Sequence, residues 1–67
     1  MTYSEVRRLR PGDKVYWTDP AEKEYPDETC SRHIVVQAVY VCGEVVSIVE
    51  FGGGNLECFP HELSRKG

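Results

Sequence analysis

Two runs dominate the middle of the chain: His33 to Val41 (HIVVQAVYV) and Glu44 to Phe51 (EVVSIVEF), with Cys42-Gly43 between them. Both are rich in β-branched residues and read as the two strands of a hairpin. Glycine at the junction supplies the positive φ that a two-residue turn needs. The second run alternates, with Val46 and Ile48 on one face and Val45, Ser47 and Val49 on the other. The first is apolar on both parities. That predicts a bent strand buried on two sides or lying at an interface between copies of the chain.

The flanking segments are shorter and obey the same grammar. Lys14 to Thr18 (KVYWT) alternates and predicts a strand with Val15 and Trp17 inward and Lys14, Tyr16 and Thr18 outward. Gly52-Gly53-Gly54-Asn55 turns the chain into Leu56 to Phe59, a last short strand closed by Pro60. The triple glycine lacks the lysine and the strand-to-helix context of a phosphate loop. At the start, Thr2 and Glu5 have the spacing of a capping box. Tyr3, Val6 and Leu9 give a short helical stripe that Arg10-Pro11-Gly12-Asp13 stops. His61-Glu62-Leu63 predicts one helical turn at the other end.

With 67 residues there is material for one domain, residues 1–67. Short antiparallel strands in so little chain do not make a two-sheet sandwich; one bent sheet curled into a small barrel hides most of its edges. The expected fold is all-β: a single small barrel of about five antiparallel strands, a short N-terminal helix and a short C-terminal helical turn. The Pro11-Gly12-Asp13 turn, the Val-aromatic strand after it, a long loop, the tight hairpin, the glycine-rich hairpin and the final turn together resemble an SH3-like barrel. The resemblance covers Arg10 to Leu63 and implies that fold without a function, since such barrels serve many.

Leu56-Glu57-Cys58-Phe59-Pro60 is similar in outline to the active strand of the type II dihydrofolate reductases, short SH3-like barrels that act as tetramers around a pore. That resemblance implies an oligomeric reductase. Glu57 stands where the family has glutamine, and Phe59 lacks the tyrosine hydroxyl. A ring of Glu57 carboxylates would repel anionic folate and NADPH. The expectation is therefore a protein that is not an enzyme and carries no cofactor.

Charge and composition narrow the partners. Eight basic against eleven acidic residues give a net charge of −3, against the usual basic excess of nucleic-acid binders. No apolar run approaches the roughly 18 residues of a membrane span. Three cysteines cannot all pair within one chain, which predicts reduced thiols and a cytoplasmic setting.

Four side chains are of types that zinc accepts: Cys30 and His33, then Cys58 and His61. Their C-x₂-H spacing is not that of the short zinc motifs, so no metal is expected. No helix N-terminus follows Cys30 and Cys42 sits in a turn, so neither is marked as an activated nucleophile.

Asp19 to Glu28 carries five carboxylates against Lys23, an acidic surface loop with Tyr25 at its centre. It predicts a protein partner held by Tyr16, Glu24, Tyr25, Asp27, Glu28 and Tyr40, with self-association into a homo-oligomer through His33 to Val41. The alternative partner is nucleic acid, held by Arg7, Arg8, Arg10 and Lys14, with Arg65 and Lys66 joining them if the termini meet.

Overall fold

The computed structural model describes residues 1–28 and 30–65; Lys66, assigned above to the basic patch, lies outside them. The fold is all-β. Strands β1 (Lys14–Trp17), β2 (Arg32–Cys42), β3 (Val45–Glu50), β4 (Asn55–Cys58) and β5 (Leu63–Ser64) form one antiparallel sheet in the order β4-β3-β2-β1-β5. A short helix, α1 (Tyr3–Arg7), precedes them, and 3₁₀ turns span Pro20–Lys23 and Pro60–Glu62.

Helix α1 starts as its capping box requires. The Glu5 N–H donates to Thr2 Oγ1 at 3.1 Å, and the Thr2 N–H donates to Glu5 Oε1 at 2.8 Å. Five residues do not hold a helix on their own, and tertiary contacts do so here. Val6 is fully buried and Leu9 packs against the core. The Tyr3 hydroxyl donates to the Glu44 carbonyl at 2.8 Å. The Met1 ammonium donates to the carbonyls of Pro60 and Leu63 at 3.0 and 2.8 Å, which seats Met1 against the second 3₁₀ turn and β5.

The hairpin turn sits one residue later than the sequence suggests. Cys42 pairs with Val45, so Gly43-Glu44 is the two-residue loop. Gly43 has φ 64°, while no described non-glycine residue has a positive φ. A positive φ at the first central position alone is the type II′ arrangement, which glycine there makes strain-free.

Strand β2 explains its own apolar pattern. Val15 lies opposite Ile34 and Lys14 opposite Val35, so even positions face inward at the start of β2. Val36 pairs with Glu50 but Ala38 pairs with Val49, which leaves Gln37 as the extra residue of a β-bulge. Beyond it the parity reverses: Val39 and Val41 pack on the core while Tyr40 points out. The two apolar sets take the core face in turn, so the pattern does not require a second copy of the chain. Only Val35 and Tyr40 remain as large exposed hydrophobics on this strand.

The bulge also bends β2 so that both ends of the sheet meet on one core. Val6, Val15, Ile34, Val36, Val46, Ile48, Cys58 and Leu63 form a single buried cluster, which a flat sheet of this order cannot do; the sheet is curled and barrel-like. Across the curl, Arg32 at the start of β2 makes a two-pronged ion pair with Glu50 at the end of β3, its Nη2 to Oε2 branch measuring 2.9 Å. The chain passes close beside that pair at Gly54, where a Cβ would stand 2.7 Å from Glu50 Oε2. No helix among the described residues is long and apolar enough to cross a membrane.

Candidate functional site

A concavity lies where the end of β1, the first 3₁₀ turn and the second 3₁₀ turn converge. Asp19 builds the near wall. Its Oδ1 accepts the Ala21 N–H at 2.9 Å and caps the Pro20–Lys23 turn, and its Oδ2 accepts the Cys30 N–H at 3.1 Å. The Asp19 N–H in turn donates to Ser31 Oγ at 2.7 Å. One carboxylate thus closes both ends of the long loop. Proline at the first position of the 3₁₀ turn suits its fixed φ, so Pro20 starts structure here.

Glu62 builds the floor. It is the one buried charged side chain in the described part of the molecule, and both its oxygens are occupied. Trp17 Nε1 donates to Oε1 at 3.0 Å, and the Phe59 N–H donates to Oε2 at 3.1 Å. The Glu62 carbonyl accepts the Thr18 N–H at 2.9 Å. A buried carboxylate is tolerated where donors satisfy it, and these donors tie β1 to the second 3₁₀ turn.

On that floor stands an aromatic ridge. The rings of Phe59 and His61 are stacked with centroids 5.9 Å apart and planes 8° from parallel. Three shallow depressions meet at this ridge. One of about 290 Å³ lies against Pro20, Glu22 and His61; one of about 430 Å³ lies against Trp17, Val45, Glu57 and Phe59; one of about 350 Å³ lies against Met1, Tyr3, Phe59 and Pro60. Glu22 and Glu57 stand on separate sides of the ridge, both exposed, and their carboxylates make no ion pair or hydrogen bond among the described residues. The groove is apolar at its base, and its rims carry Glu22 beside Lys23 on one side and Glu57 on the other.

The residues singled out from sequence are distributed as follows. Glu24, Tyr25, Asp27 and Glu28 stay together in the exposed loop beyond the groove, where the Tyr25 N–H donates to the Ala21 carbonyl at 2.8 Å. Tyr16 lies on the outer face of β1, edge-on to His33 at 5.0 Å. Tyr40, 62% exposed, is at the far end of β2 opposite Ser47. The loop residues are gathered; Tyr16 and Tyr40 are separated by most of β2. Arg7, Arg8, Arg10 and Lys14 are exposed along α1 and the turn into β1, without an ion pair among the described residues.

Cys30, His33, Cys58 and His61 do not converge, and no cluster of three or more metal-ligating side chains occurs among the described residues. Cys58 faces the core, and His33 stands on the outer face. Burial, then the nearby Glu62 carboxylate, pushes the Cys58 thiol up to about 11, so it stays protonated at neutral pH and is no nucleophile. All three cysteines are free thiols.

Trp17, Phe59, His61 and Glu62 were not legible as a group in the sequence. The Trp17–Glu62 hydrogen bond that joins them closes a separation of 45 residues, and the only local sign was the pair of rings, Phe59 and His61, on either side of Pro60. No protein-family model matches the chain, and no curated protein or solved structure matches it. The resemblances to SH3-like barrels and type II dihydrofolate reductases therefore rest on the residues that suggested them.

Proposed function

We propose that the chain is a small, non-enzymatic module for binding another protein, built on an SH3-like barrel, and that it takes an extended basic segment of that partner. The observation that carries this reading is the meeting of three depressions at the stacked Phe59–His61 ridge, with the unpaired carboxylates of Glu22 and Glu57 on its two sides outnumbering the one rim cation, Lys23. A shallow apolar base holds side chains of an extended peptide in successive depressions, and the free carboxylates select a cationic one. The loop acids Glu24, Asp27 and Glu28, on either side of the exposed Tyr25, extend the same negative field beyond the groove, which speeds encounter with a basic partner and weakens with salt.

The test is an NMR titration with a library of extended peptides that differ in net charge. Cationic peptides are expected to shift the Trp17 indole, Phe59 and His61 resonances, and Phe59→Ala is expected to weaken binding by about 30-fold, as for a central aromatic anchor. Glu22→Lys with Glu57→Lys reverses the charge preference. Shifts confined to the Tyr40 face, or an anionic peptide binding as well as a cationic one, sink the reading.

A further inference from the structure

We infer that the outer face of β1 and β2, with the arginines that lead into it, is a second site, and that its ligand is single-stranded nucleic acid. It lies apart from the peptide groove and does not depend on it. Register places the face. Tyr16 stands between Ser64 of β5 and His33 of β2, and one step along the strands Lys14 stands beside Val35. The Phe51 N–H donates to the Val35 carbonyl at 3.2 Å, which brings Phe51 alongside as the next member of that row.

These outward residues are unusual for a solvated face. Val35 is 42% and Phe51 54% exposed, and His33 is exposed with its ring braced edge-on by Tyr16. Exposed rings on a sheet are platforms on which bases stack without regard to sequence. The cations supply the other half. Lys14 lies within the face, and Arg7, Arg8 and Arg10 continue from it along the chain, each exposed and unpaired among the described residues. The acids that give the molecule its negative charge are concentrated after β1, in the loop from Asp19 to Glu28. The local field before β1 is positive although the net charge is −3. Two acids belong to this stretch: Glu5, whose Oε1 accepts the Thr2 N–H at 2.8 Å, and Asp13, whose Oδ2 accepts the Arg10 N–H at 2.9 Å.

The experiment uses the whole chain, a fluorescent mixed-sequence DNA 12-mer, and anisotropy at 50 and 200 mM salt. Neutralising about four phosphates predicts a loss of affinity of about 50-fold over that range. Arg8→Glu with Lys14→Glu is expected to roughly halve the logarithmic salt slope. Phe51→Ala is expected to weaken binding at least about 5-fold at fixed salt while leaving the slope unchanged. Both variants alter exposed side chains, and circular dichroism confirms that they fold. No binding at 50 mM salt overturns the inference. So does equal binding of base-free polyphosphate or anionic vesicles with Phe51→Ala silent, because the surface would then be a bare cationic patch with no place for bases.

Discussion

The two halves of β2 are made of the same kinds of residue and bury opposite parities. Before Gln37 the core takes Ile34 and Val36; after it the core takes Val39 and Val41. No difference in hydrophobicity between the halves accounts for this. One unpaired residue does, by slipping the alternation a single step while hydrogen bonding to β3 resumes at Ala38. An apolar run on both parities is thus not evidence of burial on two sides. It also arises where one strand serves two partners around one core.

Deleting Gln37 attacks the comparison directly. Without the extra residue one half of β2 must present its outward set to the core, and loss of a cooperative thermal transition is the expected result. A deletion variant that melts within a few degrees of the parent would falsify the bulge as the source of the reversal. Next in size is Ile34→Ala, expected to cost about 2–5 kcal/mol in urea unfolding because the site is fully buried. Its neighbour Val35→Ala is expected to cost less than about 0.5 kcal/mol. Equal costs at the two positions would contradict the inward assignment of even residues in this half.

The second half is tested by Val41→Ala, which removes two half-buried methyl groups and is expected to cost roughly 1 kcal/mol. Tyr40→Ala beside it is expected to be near neutral. Arg32→Ala acts through charge and not through packing. The Arg32 side chain is 45% exposed but that of Glu50 only 12%, so the loss is expected at the upper end of the about 0.2–1 kcal/mol of exposed pairs. The hydrogen bond from Arg32 holds the Glu50 carboxyl below its ordinary value of 4.5. A carboxyl lowered in the folded state stabilises above its unfolded pKa, and the contribution fades as pH falls through the folded value. The advantage of the parent over Arg32→Ala should therefore be full at pH 6 and shrink on acidification below about 4.5. An advantage that grows on acidification would contradict the assigned pairing.

Much of the architecture is legible in single residues. Thr2 and Glu5 announce the helix start, Val46 and Ile48 the inner face of β3, and Pro60 the final turn. The strand β5 is not legible, because Leu63–Ser64 is two residues long and exists only by pairing with Tyr16 and Trp17. The candidate groove is less legible still. Tyr25 and the loop acids lie near it in sequence, but its floor and ridge come from Trp17, Phe59, His61 and Glu62, which no spacing rule connects.

By itself, then, the sequence determined the kind and order of the longer elements, because periodicity, capping and turn chemistry act over a few residues and need no distant partner. The tertiary structure decided where β2 reverses its inward face, that Leu63 closes the sheet against β1, and that Glu62 joins Trp17 to Phe59. Those outcomes depend on which backbone groups and buried donors find partners after the chain has curled around one core. That competition is settled only among segments far apart in sequence.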